Sequence, residues 1–330
     1  MSMYDVVALG ELLIDFLLTG KSTQGNDDFE ACPGGAPCNV LAMLSKLGRK
    51  TAFIGKLGGD MFGHRLKTTL NLLGIDPCGV VFDDTVNTTL AFVSTDPNGE
   101  RSFAFYRNPG ADMMLTKNEL DENLLKNCRI FHFGTLSSTH SGVREATRYA
   151  VEVAKQCGAL ISFDPNLRPL LWDSLIEARE QIVWGCAHCD FLKISDDEAA
   201  FLTGIPSARE AGEALCESFP DIKLIVVTCG GNGSVALYRN FRVAEQAYVN
   251  LKVIDTTGAG DTFCGCCLDT ILRVGIDNFT EETLREMLRF AGAAAGIVTT
   301  RKGAMLAMPG ITDIQDMILR GGSYESVSDR

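Results

Sequence analysis

The chain has 330 residues, of which 46% are hydrophobic and 22% charged, as expected for a soluble globular protein of one large domain or two smaller ones. Its formal net charge of −12 argues against a nucleic-acid groove or a membrane-surface role, since both need a basic footprint. A local anion site remains compatible with that balance, because backbone N–H groups or a bound metal can hold phosphate on an acidic protein.

In chain order, Val6–Leu9 predicts a first strand. Glu11 and Asp15 then interrupt the apolar run, so the N-terminal stretch does not read as a signal-peptide core. No apolar run reaches the length of a membrane span. The twelve cysteines lie mostly inside apolar runs and read as reduced, buried thiols, which makes the cytoplasm the expected location.

Residues Glu11–Pro33 read as extended segments joined by turns. Within them Gly20-Lys21-Ser22 resembles the end of a P-loop, but Asp15 occupies the position of its first glycine. Gly34-Gly35-Ala36-Pro37-Cys38-Asn39 precedes a helical pattern over Asn39–Leu47, which Gly48 stops. This is either a loop whose Asn39 caps the helix or a set of backbone groups and an amide facing a polyhydroxyl ligand. Asp15 is open in the same way, as a turn residue or an acceptor for sugar hydroxyls. Ala52–Gly55 is the next strand.

A second extended stretch, Val81–Ala111, carries the turn signal Asp96-Pro97-Asn98-Gly99 between Leu90–Ser94 and Ser102–Tyr106. Residues 11–33 and 81–111 together predict a small β-rich appendage inserted into the α/β core. Strands are then expected at Ile130–Phe133, Leu160–Phe163, Phe191–Ile194 and Leu224–Thr228, mostly with helices between them, such as Arg144–Gln156 before Cys157-Gly158. This alternation predicts an α/β fold, with a mostly parallel sheet covered by helices on both faces. The polar residues 321–330 read as a flexible tail.

The strongest chemical signal is Asp255-Thr256-Thr257-Gly258-Ala259-Gly260-Asp261, followed by an apolar helical run to Leu272. N–H groups of Gly258, Ala259 and Gly260 at a helix start would favour an anion. A carboxylate beside them should repel that anion, unless it takes the proton of a hydroxyl attacking a phosphate. A Gly-rich turn capped by Asp261 would also suit the pattern. A dinucleotide fingerprint does not, because Phe263 stands where the third glycine would be. Cys186-x-x-Cys189 and Cys264-x-x-Cys267, with His188 nearby, have zinc-like spacing, but the second pair lies in the apolar helix where cysteine packs.

The early glycine pair with Asn39 and the late Asp-Thr-Thr-Gly-Ala-Gly-Asp run resemble the two signatures of the ribokinase-like, phosphofructokinase B-type carbohydrate kinases. The resemblance runs from Gly10-Glu11 to Lys302-Gly303-Ala304. Phe105–Asp112 and Asp164–Arg168 are similar to stretches of the fructokinase subgroup.

That resemblance implies a three-layer α/β/α core with a lid, and transfer of phosphate from ATP to a primary hydroxyl, with fructose as the expected sugar. It implies Asp261 as base and Gly258, Ala259 and Gly260 as anion hole. Asp15, Gly34, Gly35, Asn39 and Phe105 would hold the sugar; Arg107 and Arg168 would reach either the sugar or the phosphate in transfer. Lys193, Ser195, Glu198, Thr228, Gly230 and Gly233 would serve the nucleotide, with Gly258 and Gly260. Ser195 stands where many members have asparagine. Glu198 would order magnesium through water, and Asp255, Thr257, Arg301 and Gly303 resemble a potassium loop. A homodimer through the lid is implied as well. Two arginines near a sugar would also suit 2-keto-3-deoxygluconate, and a non-catalytic sugar-binding protein is the alternative of another class.

Overall fold

The computed structural model describes residues 4–95, 101–249 and 251–321. The turn signal at 96–99 and all but the first residue of the expected tail lie outside the described residues.

The strands are β1 (Tyr4–Leu9), β2 (Leu13–Lys21), β3 (Asp27–Gly34), β4 (Thr51–Gly58), β5 (Ile75–Asp83), β6 (Leu90–Thr95), β7 (Arg101–Tyr106), β8 (Cys128–Phe133), β9 (Leu160–Phe163), β10 (Phe191–Ser195), β11 (Leu224–Thr228), β12 (Ser234–Tyr238) and β13 (Phe241–Glu245). The helices are α1 (Ala36–Lys46), α2 (Met61–Leu72), α3 (Glu122–Lys126), α4 (Ser141–Gln156), α5 (Leu175–His188), α6 (Asp196–Thr203), α7 (Ala208–Ser218), α8 (Ala259–Val274), α9 (Glu281–Thr299) and α10 (Ile311–Leu319). Nine strands form one sheet in the order β13-β12-β11-β10-β9-β8-β1-β4-β5. It is parallel from β11 to β5, and β12 and β13 extend it antiparallel.

Alternation along the strands splits the core into two layers. Val6, Ala8 and Ile130 pack with apolar residues of α1, α2, α8, α9 and α10. Val7, Leu9, Phe131 and Phe133 pack with those of α3 to α7. The amphipathic helix α4 shows why: Val143, Ala146, Ala150, Val151 and Ala154 recur at helical spacing and are all buried. Among the described residues, no helix is long and apolar enough to cross a membrane.

A second sheet has the order β3-β2-β6-β7 and covers one end of the first. It is antiparallel except between β2 and β6. Both extended stretches read from the sequence supply its strands. Residues 81–83 are the exception: they belong to β5, which pairs with β4 at the edge of the large sheet.

Side chains alternate across the small sheet. Asp15 and Phe105 face inward to a cavity. The opposite face carries Phe16, Leu18, Phe29, Phe92 and Tyr106. Phe92 stacks on Phe16 with ring centres 4.8 Å apart and meets Phe29 and Tyr106 edge-on at 5.4 Å each.

Candidate active site

The chain leaves β1 for β4 on one side and later returns to β8 on the other, so neighbouring connections diverge at β1 and β8. A crevice opens at the carboxyl ends of strands at such a switch point. The last residues of β10 and β11, Ser195 and Thr228, lie at that end, with Glu11, Leu136, Asn166 to Arg168 and Cys229 to Gly233 from the segments that follow β1, β8, β9 and β11.

Two cavities meet there. The smaller, about 210 Å³, lies under the lid and is lined by Asp15, Gly35, Asn39, Phe105, Arg168, Lys193 and Asp261, together with Glu11 and Asn166. The larger, about 470 Å³, is lined by Thr228, Gly230, Gly233, Tyr248, Val253 and residues of α9. Thr256 and Gly260 border both, so the turn that opens α8 forms the wall between them.

That turn is built by its glycines. Gly258 is the N-cap of α8 with φ of 78°, and a Cβ there would lie 2.6 Å from the Ala304 Cβ. A Cβ on Gly260 would sit 3.0 Å from Lys193 Nζ. The first-turn amides of a helix have no intrahelical partner and favour an anion. The Ala259 N–H already donates to Thr256 O at 3.3 Å, whereas Gly260 borders both cavities and Gly258 the smaller one.

Asp261 sits in the first turn of α8 but does not cap it, which removes the simple capping explanation. Instead Asn39 Nδ2 donates to Asp261 Oδ2 at 2.7 Å. Asn39 is not a cap either: α1 begins three residues earlier than its apolar pattern suggested, with Gly35 as N-cap and Pro37 in the first turn. Its Oδ1 is buried without a hydrogen-bond partner, leaving an acceptor for a ligand hydroxyl. Burial raises the Asp261 carboxyl above the usual range, while Asn39, Lys193 and Arg168 pull it back. Burial also pushes Asp15 up to about 7, opposed by Arg168, and Glu11 up to about 7.

Gly34 does not line the cavity; a side chain there would strike the Asp15 carboxylate, so it serves as Asp15's backing. Gly35 is likewise pressed against the Glu11 carbonyl, and Glu11 Oε1 accepts the Ala36 N–H at 2.8 Å. Glu11, Asn166 and Leu136 are lining residues that the site assignment from sequence missed. Gly10-Glu11, as the start of the resemblance, carries a signal for the first, and the Asp164–Arg168 stretch carries one for Asn166.

Arg107 departs from expectation. It does not line the cavity: its guanidinium is buried, paired with Asp112 Oδ2 at 2.7 Å, and donates to Thr139 Oγ1 and Leu136 O. The pair is internal and not at the surface. Arg168, by contrast, is exposed at the cavity mouth.

Lys193 is buried and pairs with Asp164 at 3.0 Å. Burial works against its charge, but Asp164 and Glu198 outweigh this and hold its pKa above the usual lysine range. Ser195 lines neither cavity: it caps α6, with its Oγ accepting the Glu198 N–H. The Glu198 carboxylate accepts N–H groups of Ser195 at 2.9 Å and Leu167 at 2.6 Å.

No cluster of three metal-binding side chains occurs among the described residues. A hydrated magnesium carried by nucleotide phosphates needs only one or two carboxylates. Glu198, together with the buried Asp164 Oδ1 that lacks a hydrogen-bond partner, fits that requirement.

Asp255 Oδ1 accepts the N–H and hydroxyl of Thr257, and its Oδ2 accepts the Gly303 N–H at 3.1 Å, tying two loops together. The Arg301 side chain turns to Asp313 and the Ala307 carbonyl.

A helix N-terminus with a buried carboxylate, between a smaller cavity and a larger, more apolar one, suits the class of phosphoryl-transferring α/β enzymes. The pfkB family carbohydrate kinase pattern matches residues 3–310. The chain belongs to that family, and its fold is ribokinase-like. It is 44% identical over 306 residues to a probable fructokinase-2 of Arabidopsis thaliana, covering 92% of each chain. It is 42% identical over 317 residues to fructokinase-2 of Zea mays, covering 96% of this chain and 94% of that one. Among solved structures, Xylella fastidiosa fructokinase with bound ATP superposes with a TM-score of 0.88 at 31% identity, over 97% of this chain and 99% of that one. Vibrio cholerae O395 fructokinase, in a fructose-, ADP- and calcium-bound form, gives 0.86 at 31%, over 96% and 100%.

Proposed function

We propose that this chain is a fructokinase, transferring the γ-phosphoryl of ATP to the primary 6-hydroxyl of fructose. The observation that carries the reading is Asp261, held by Asn39 at the wall between the two cavities. The fructokinase relatives, and the neighbours whose structures hold ATP or fructose with ADP, support the choice of substrates.

The sugar sits in the smaller cavity with its hydroxyls on Asp15, Asn39 and Gly35, against Phe105, with Arg168 at the mouth. ATP lies in the larger one, along Thr228 to Gly233, with its phosphates towards Gly258 and Gly260. Asp261 accepts the proton of the attacking hydroxyl as its oxygen bonds to phosphorus and ADP departs. Lys193 and the α8 amides stabilise the charge on the transferring group without reorganising. Magnesium, when bound with ATP beside Glu198 and Asp164, supplies further charge neutralisation. Potassium at the loop tied by Asp255 and Gly303 is the proposed monovalent cation; a double mutant of the Vibrio cholerae O395 fructokinase has a fructose-, ADP- and potassium-bound form.

We take residues 1–330 as a single kinase domain, with the four-stranded sheet as its lid. The lid's outer aromatic face and its free edges suit a homodimer through that sheet. All twelve cysteines are unpaired, which suits the reducing cytoplasm.

The deciding experiment is kcat/KM for fructose and for 2-keto-3-deoxygluconate with saturating MgATP. With Arg107 turned inward and Lys193 paired with Asp164, Arg168 is the one arginine lining the sugar cavity among the described residues, so fructose should win. A preference of about tenfold or more for the sugar acid would overturn the fructose assignment while leaving a sugar kinase.

A further inference from the structure

The segment where the lid joins the core contains a buried ionic knot. Arg107 directly follows β7, and Thr89 directly precedes β6. Asp112 lies in the short 3-10 helix Ala111–Met114 on the core side. Arg107 Nε donates to Asp112 Oδ2 at 2.8 Å, and the Thr89 hydroxyl donates to Asp112 Oδ1. The remaining guanidinium nitrogens donate to Thr139 Oγ1 at 2.9 Å and Leu136 O at 3.0 Å. The Thr89 carbonyl accepts the Ile14 N–H at 3.2 Å, so β2 joins the same knot. Gly110 is packed so closely against Thr89, Asp112 and Arg107 that a Cβ would strike all three.

Three lid strands are therefore fastened at their bases to one charged pair. Arg107 and Asp112 are both almost fully buried, with side chains only 2% and 3% exposed. A buried pair of this kind is costly unless its geometry is fixed and its other polar atoms are satisfied. Here every guanidinium nitrogen has an acceptor. The far side of the knot is the sugar cavity, because Leu136 and Glu11 line it and Phe105, two residues before Arg107, lies inside it. Both charges are close enough to act on Glu11, Asp112 raising its pKa and Arg107 lowering it.

Resting on the sugar-kinase reading above, we propose that the Arg107–Asp112 pair is a lock that fixes the lid's base against the Leu136 segment. Arg107 is then a positioning residue for the sugar and makes no contact with it. The lock sets the distance between Asp15 and Phe105 on the lid and Asn39 and Asp261 on the core. Its loss loosens the sugar cavity and leaves the nucleotide cavity, on the other side of the α8 turn, as it was.

Steady-state kinetics of the full chain with fructose and MgATP, for Arg107→Lys, Asp112→Asn, the double variant and the milder Thr139→Val, test this. Hydrogen exchange of the peptides covering β2 and the start of β6 gives a readout independent of turnover. Each charge-pair variant should raise the fructose KM by about tenfold or more with the MgATP KM changed less than about twofold. The double variant should be no worse than the poorer single one, because both remove one interaction. Thr139→Val should raise the fructose KM several-fold, and the lid peptides should exchange faster in all four.

If Arg107→Lys raises the fructose KM and Asp112→Asn leaves it alone, Arg107 touches the sugar and the lock is wrong. If the pair variants lose thermal stability while fructose KM and lid exchange stay at wild-type values, the pair is only a brace and the proposal also fails. Faster lid exchange in the variants, combined with a wild-type chain that does not phosphorylate fructose, would uphold the lock and refute the fructokinase reading instead.

Discussion

Asp261 is buried with a raised pKa, yet its proposed role requires the carboxylate form. Glu11 and Asp15 share the cavity, and burial brings both to about 7. Asp261 must lose its proton to act as base, and the ionised Asp15 is the stronger acceptor for a sugar hydroxyl, so the active form grows as pH rises. For fructose, kcat/KM should climb between about pH 6 and pH 8 and then level, since this ratio reports the free enzyme. A flat profile across that interval would remove these carboxylates from the chemistry. The same shifts bear on stability. A carboxyl whose folded pKa exceeds its unfolded one, about 4, contributes fully below the unfolded value and loses that contribution as pH rises through the folded value. Glu11 and Asp15 therefore weaken the ligand-free fold from about pH 4 to about pH 7. Fructose with MgADP should raise the melting temperature more at pH 8 than at pH 6, because bound hydroxyls then satisfy the charged forms.

The elements most legible in the sequence were those with one clear period. The strands at β1, β8, β9, β10 and β11 were each recognisable as short apolar runs, because a parallel strand buried on both faces has little polar alternation. β12 and β13 were not singled out. They form an antiparallel edge beyond β11 and carry mixed residues such as Arg242 and Glu245. α1 starts ahead of its apolar pattern because Pro37 opens the helix from a glycine and not from a side-chain cap. The Gly258–Asp261 run was legible because its chemistry is contiguous. Glu11 and the Arg107 knot were not, since their partners lie 25 and 5 to 32 residues away. The turn opening α8 gives an element-scale test. Gly258→Ala forces a side chain into a left-handed backbone beside Ala304, costing about 1–3 kcal/mol. It should lower the melting temperature and cut turnover by about tenfold or more. Wild-type turnover in this variant would show that the turn does not hold the phosphate.

At the scale of the whole molecule, the lid and the core make the cavity together, and the lid's other face is apolar. Leu18 and Phe29 are 38% and 39% exposed, and Tyr106 is 67% exposed. Sedimentation velocity at about micromolar concentration should show a dimer. Phe29→Glu, which places a charge in that face, should shift it towards monomer, whereas an unchanged monomer for both proteins would leave the lid unpartnered. Asp261 lies on the sugar side of the turn that separates the two cavities. The most direct test is the rate of fructose-dependent ADP formation by the wild-type chain and by Asp261→Asn, with MgATP affinity and melting temperature measured on both. The account predicts robust turnover by the wild type and a loss of about two to four orders of magnitude in the variant, with nucleotide affinity and fold retained. Near wild-type turnover by a folded Asp261→Asn protein would contradict it.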